Sequence, residues 1–168
     1  QSHTHENLYS EQDLSLLSTI GSQVAIAAEN ARLYHQVQHE KQYLESVLLN
    51  SPVAIVVVDL QQRVVSWNPA AEKLFGYTQA EAVGRNVDSL VAIEGALQEE
   101  AVTISRQTSQ GELVRAITQR HRKDGSMVDV ELFSVPVLIG QQQVGALAIY
   151  HDITELQRAR QQAEAANQ

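Results

Sequence analysis

The sequence predicts an α+β domain built on an antiparallel sheet and preceded by one long helix. Three observations carry this. Residues 11–50 contain no proline and one glycine, Gly21, and their apolar residues recur at spacings of three and four. Two β-branched runs follow, Val53–Leu60 and Arg63–Trp67, separated only by Gln61-Gln62, which reads as a hairpin. Several short helix signals then precede three more strand patterns, at roughly 112–122, 126–138 and 142–151. Helices set between hairpins favour an antiparallel α+β sheet over a Rossmann-type arrangement.

The individual elements have local causes. In the long helix, Leu14, Leu17, Ile20, Val24, Ala27 and Ala31 form a stripe. Leu33, Val37, Leu44 and Val47 continue it at coiled-coil spacing, with Asn30 and Glu40 in the remaining seam positions. A helix of ~40 residues is roughly 60 Å long, too long to fold its whole length onto one small core. It is expected to pack against a second copy or a neighbouring domain; a break near Gly21, giving two packed helices, is the alternative. Asn50-Ser51-Pro52 ends the helix, because proline disfavours helix at the residue before it. Asn68 with Pro69 starts the next helix, which ends near Gly76. Thr78 with Glu81 three residues on is a capping box, and Gly84 closes that turn. A helix over roughly 96–108 places Leu97, Ala101 and Ile104 on one face. Asp124-Gly125 and Gly140 mark the two later turns. Asp152 and Glu155 have capping-box spacing at the start of a last helix, whose remainder, 156–168, is rich in Ala, Gln and Arg and buries little by itself.

Composition narrows the function classes. The 168 residues fit one domain with additional segments, and 43% hydrophobic with 19% charged residues is ordinary for a globular chain. No cysteine is present, which excludes disulfides, thiolate nucleophiles, cysteine zinc sites and cysteinyl adducts. Twenty acidic against twelve basic residues give a net charge of −8, which argues against nucleic-acid binding. The longest unbroken apolar run, Val53–Val58, is far too short for a membrane span, and no secretory signal is visible, so a cytoplasmic location without membrane contact is expected. Residues 1–10 read as a polar tail; Glu6-Asn7-Leu8-Tyr9 matches the start of a tag-cleavage site, and its origin stays open.

No phosphate-binding GxxxxGK[ST] loop, GxGxxG or GxSxG is present, so no catalytic residues are assigned. His35 and His39 share a helix face, but two imidazoles half fill a tetrahedral site, and no metal is assigned. His3 and His5 are read as incidental. His121 lies among Arg120, Arg122 and Lys123, read as a solvated strand end.

Trp67–Tyr77 (WNPAAEKLFGY), Gly84–Val87 (GRNV), Arg122–Ser126 (RKDGS) and His151–Glu155 (HDITE) resemble, in order, the signatures of a PAS domain over 51–155. Residues 11–34 resemble the closing helix of a GAF domain. The resemblance implies a five-stranded antiparallel sheet with short helices over one face. It implies part of a bacterial multidomain signalling protein, a sensor histidine kinase or a relative, with an output domain beyond 156–168. Light-sensing flavin relatives carry a cysteine where Val87 stands, so that adduct is excluded. Haem-binding relatives commonly use a histidine from the helical segment, and 68–108 contain none. No cofactor is predicted; an unidentified small molecule is left open. With strand alternation, the resemblance assigns an aliphatic pocket to Ile55, Val57, Leu74, Phe75, Leu132, Ala146, Ala148 and Tyr150; a filled core is the competing reading. Asp152, Thr154 and Glu155 form the expected signal junction, and Leu33, Val37, Leu44 and Val47 the expected homodimer helix.

Overall fold

The computed structural model describes residues 10–166. The expectations for residues 1–9 lie outside this range. Contacts divide the chain into two units, Gln1–Ser46 and Val47–Gln168.

The helix α1 (Glu11–Leu49), whose last three residues belong to the second unit, is one continuous helix of 39 residues with no buried residue and no break at Gly21. Ser10 caps its start, its hydroxyl accepting from the Asp13 amide while Asp13 Oδ2 accepts from the Ser10 amide at 2.9 Å. The two apolar stripes do not form one seam. At 3.6 residues per turn Ala31 and Leu33 point about 160° apart. Leu17, Val24 and Ala31 therefore lie on one side, and Leu33, Val37, Leu44 and Val47 on nearly the opposite one. The expectation of a continuing stripe is corrected: the pattern changes face between 31 and 33, which spacing read locally does not reveal.

The second unit is a five-stranded antiparallel sheet in the order β2-β1-β5-β4-β3 with short helices. Its strands are β1 (Ala54–Asp59), β2 (Val64–Trp67), β3 (Val114–His121), β4 (Met127–Ile139) and β5 (Gln142–Asp152). Its helices are α2 (Pro69–Phe75), α3 (Gln79–Ala82), α4 (Val87–Val91), α5 (Gly95–Ser109) and α6 (Thr154–Ala166). The α+β sheet predicted from sequence is present, with the chain's first and last strands adjacent at its centre. Asn68 and Thr78 cap α2 and α3 as their sequences predict, the second with a complete capping box. Gly76 ends α2 in the left-handed region at φ 81°, which favours a residue without Cβ. The short helix α4 is an element the sequence reading lacks; Asn86 caps it by accepting from the Ser89 amide.

Strand alternation sorts the sheet into two faces. Inward lie Ala54, Val56 and Val58 of β1, Val130 and Leu132 of β4, and Ala146 and Tyr150 of β5, packed with Trp67, Phe75 and Leu90. Ile55 pairs with Ile149, Val57 with Leu147, and Phe133 with Ile149, on the opposite, half-buried face. Trp67 is a core anchor: its Nε1–H donates to the Tyr77 carbonyl at 3.0 Å, and its ring lies 5.4 Å from Phe75.

Candidate functional site

Two places concentrate polar chemistry in the second unit. The first is where the chain enters and leaves the sheet. Asn68, 2% exposed, uses its whole amide. Its Oδ1 accepts from the amides of Ile55 and Ala71, both at 2.9 Å. Its Nδ2 donates to the carbonyls of Leu48 at 3.2 Å and Val53 at 2.9 Å. One side chain thus holds the last turn of α1, the start of β1 and the start of α2. Sequence reading gave it only the helix cap.

Across the central strand pair, Ala54 lies opposite Tyr150, two residues before Asp152. Asp152 Oδ1 accepts from the Thr154 amide at 2.9 Å, and its Oδ2 lies 3.6 Å from the Arg122 guanidinium. Arg122 also donates from Nε to the Leu74 carbonyl at 2.9 Å. Thr154 Oγ1 accepts from the Asp129 amide at 3.3 Å. The junction expected at Asp152 and Thr154 is therefore tied to α2 and to the β3–β4 hairpin. Glu155 is exposed and takes no part: the Asp152 bond reaches two residues on, an Asx-type turn, rather than closing a capping box with Glu155. The ion pair is partly exposed and worth less than about 1 kcal/mol, so it orients more than it stabilises. An open cleft of about 260 Å³ beside it is lined by Leu74, Arg122, Tyr150 and Asp152 among others.

The second place is a cavity of about 20 Å³ between α5 and the sheet. Of the predicted pocket residues, Leu132, Ala146, Ala148 and Tyr150 line it. Ile55 and Val57 do not, a correction: alternation turns them to the outer face, since Val56 is fully buried. Leu74 lines the outer cleft, and Phe75 is core, edge-on to Tyr150 at 5.0 Å. The lining is also not aliphatic as expected. Asp88, Ser105, Arg120 and Ser134 face it. Arg120 is 1% exposed, correcting its reading as part of a solvated strand end. Its Nη1 donates to the Gln119 carbonyl at 2.8 Å, to Thr118 Oγ1 at 3.1 Å and to Glu100 Oε2 at 3.2 Å. The signal available in sequence was alternation: Ala116, Thr118 and Arg120 share the inward face of β3. His121, half-buried, accepts at Nδ1 from the Ile93 amide at 3.5 Å.

Burial pushes the Asp88 carboxyl above its ordinary range, against a hydrogen bond from Ser105 and the attraction of Arg120. Burial likewise raises the Tyr150 hydroxyl to about 12, so it stays protonated at any physiological pH. For Asp88 the sign is fixed: the native state holds its proton more tightly than the unfolded chain, so this group's contribution to stability is lost as pH rises through its folded value. Asp88→Asn, which keeps an acceptor for Ser105, is expected to raise the melting temperature, with the gain growing from pH 4 to pH 7.5. A difference from the native protein that stays constant with pH, measured by calorimetry, would overturn this.

The family model described as "PAS fold" matches residues 42–153. The chain belongs to the PAS-fold family. Its PAS domain is similar to the probable diguanylate cyclase DgcE of Escherichia coli K12, with 27% identity over 76% of this chain and 12% of that protein. It is also similar to the sensor protein FixL of Bradyrhizobium diazoefficiens, with 29% identity over 69% of this chain and 23% of that protein. The chain thus spans less than a quarter of the length of these curated relatives. Among solved structures it resembles the PAS domain of a Colwellia psychrerythraea protein, with TM-score 0.59 and 32% identity over 68% of this chain and 97% of that one. It also resembles an RNA-binding Light-Oxygen-Voltage receptor, with TM-score 0.65 and 29% identity over 76% of this chain and 37% of that one. A signalling sensor role follows for the PAS domain. Among the described residues, no helix is long and apolar enough to cross a membrane.

Proposed function

We propose that this PAS domain is a non-catalytic relay in a bacterial multidomain signalling protein of the histidine-kinase type, located in the cytoplasm. It couples α1 to an output domain beyond α6. The observation that supports this reading is the pair of joints on adjacent strands. Asn68 grips the Leu48 carbonyl where the chain arrives at β1, and Asp152 caps the Thr154 amide where it leaves β5. A shift of α1 that moves Leu48 acts on Asn68, on β1 and, through the β1–β5 ladder, on the residue that sets the direction of α6. Asp152→Ala in the full-length parent should lower stability by about 1 kcal/mol, the usual scale for a lost helix-start bond. It should reduce the signal-dependent change in output several-fold. An output response equal to that of the native protein overturns the reading.

The relay works as a homodimer through Leu33, Val37, Leu44 and Val47 of α1. All four are strongly exposed, and an isolated helix of this kind gains its stability from packing. Leu44→Glu should convert a dimer to a monomer at micromolar concentration by light scattering; an unchanged mass overturns this seam. The stripe from Leu17 to Ala31 faces the other way and serves a different neighbour. A second reading, assembly through the outer face of the sheet, is favoured by the half-buried apolar side chains Ile55, Val57, Phe133, Val135, Leu147 and Ile149. Ile149→Glu, which leaves the α1 seam intact, separates the two by the same measurement.

A further inference from the structure

The two edges of the sheet differ. β2 has four residues, and its outer side is taken. The Val64 amide donates to the Arg85 carbonyl at 2.9 Å, and the Val64 carbonyl accepts from the Gly84 amide at 2.8 Å. Arg63 and Asn86 add a bridge there. β3 has eight residues and pairs with β4 along its whole length, with no bulge and no proline. Among the described residues no backbone bond reaches its other side, and the one side-chain bond to a β3 carbonyl is that of Arg120 Nη1 to Gln119. Such an edge is a template for a further strand, because half of its N–H and C=O groups point away from the sheet.

The side chains of β3 restrict which strand fits. Arg115 and Arg120 are already paired with Glu131 and Glu100, so the edge offers a foreign acidic peptide no free charge. It does match itself. Arg115, Ile117 and Gln119 alternate on the outer face, and Ile117 is 62% exposed. Gln119 donates to Asp129 on β4 at 2.9 Å. Antiparallel pairing with the β3 of a second copy, centred on Ile117, sets Ile117 against Ile117 and Arg115 against Gln119. Directly opposite residues share a face. The outer row then has an apolar pair at its middle, and each Arg115 reaches toward the Asp129 carboxylate beside the other copy's Gln119. Centred one residue earlier, Arg115 faces Ile117; centred one later, it faces His121. Only the Ile117 register joins apolar to apolar and cation toward anion.

We propose that β3 is a strand-addition surface for a second copy of this chain, joining two five-stranded sheets edge to edge about a two-fold axis at Ile117. The contact is one short strand pair and is weak, forming above the micromolar range in which Leu44→Glu is a monomer. Where α1 already holds two copies together, it joins one dimer to the next, since each copy carries two separate self-matching surfaces. The surface goes beyond the relay reading and does not rest on it.

The chain has no cysteine, so a single introduced thiol reports its own neighbour. Ile117→Cys, Arg115→Cys and Gln119→Cys are each made in the Leu44→Glu protein and treated at high protein concentration with oxidised glutathione. Covalent dimer is read on a non-reducing gel. Thiols at 117 lie directly opposite each other, within disulfide reach. The two copies of 115, or of 119, lie four residues apart along the pair, about 14 Å. Ile117→Cys is expected to cross-link several times faster than either of the others. Ile117→Lys, which sets like charges opposite at an exposed position, is expected to abolish the concentration-dependent rise in mass seen by light scattering. Equal cross-linking at the three positions, or an undiminished rise in mass with Ile117→Lys, overturns the proposal and leaves the relay reading standing. A micromolar dimer of Leu44→Glu overturns the α1 seam instead, and the preference for 117 still decides the edge.

Discussion

Gly145→Ala is expected to lower the stability of the PAS domain by about 3 kcal/mol, the upper end for overpacking, and its melting temperature by roughly 10 °C. Gly145 lies in β5 opposite Asp59 and Val137. A Cβ added there runs into the Val58 carbonyl oxygen, closer than real Cβ atoms come, with the Val58 carbonyl carbon and Asp59 Cα behind it. These are backbone atoms and cannot rotate aside. The β1–β5 ladder must part beside the point where the β1–β2 pairing shifts register, between Val57 and Val58, with Val65 of β2 as the extra residue. Gly21→Ala is the control: its Cβ meets nothing and the site is helical, so a gain of up to about 1 kcal/mol is expected. Equal melting midpoints for Gly145→Ala and the native protein in calorimetry would refute this account of the close approach.

Asn68→Ala is expected to cost about 3 kcal/mol. The helix cap alone accounts for about 1 kcal/mol. The remainder comes from leaving the Ile55 amide without its side-chain acceptor and the Val53 and Leu48 carbonyls with only their longer bonds from Ser51. Asn68→Asp distinguishes this from a simple cap. Aspartate keeps both bonds accepted by Oδ1 and is as good a cap as asparagine. It presents its second oxygen to the two carbonyls, where a donor is required. If capping were the main role, Asn68→Asp would unfold at the same urea concentration as the native protein. The four-bond geometry instead requires it to be destabilised nearly as much as Asn68→Ala, and more so with the carboxyl ionised, when it can only accept, than with it protonated.

Much of this was legible in the sequence because the causes are local. Asn68-Pro69, Thr78 with Glu81 and Asp124-Gly125 each satisfy their own backbone within a few residues, and each does so in the structure. Two β-branched runs and three later ones became a single antiparallel sheet. What sequence did not yield depends on register and on distance. Ile55 and Val57 look as suitable for a core as Val56; only pairing with Ala148 and Trp67 shows which one points inward. Arg120 resembles its solvated neighbours in sequence, and its burial depends on Glu100, twenty residues earlier on α5. The stripe on α1 runs on with only Asn30 and Glu40 interrupting it, and its change of face appears only when a continuous helix of 39 residues is followed turn by turn. Helix α4 escaped notice because Asn86 caps five residues with no periodicity to count.

The antiparallel neighbours β1 and β5 have a mechanical consequence. Ala54 begins one strand directly opposite Tyr150 near the end of the other, so the chain arrives and departs at the same end of the pair. Tension between the two attachment points loads this ladder as a zipper, one backbone pair after another, rather than in shear across all pairs at once. Such a ladder opens gradually from its Ala54–Tyr150 end at low force. A pull or twist transmitted along the chain can therefore loosen the central strands a rung at a time, and the first rung carries Tyr150, whose ring packs edge-on against Phe75.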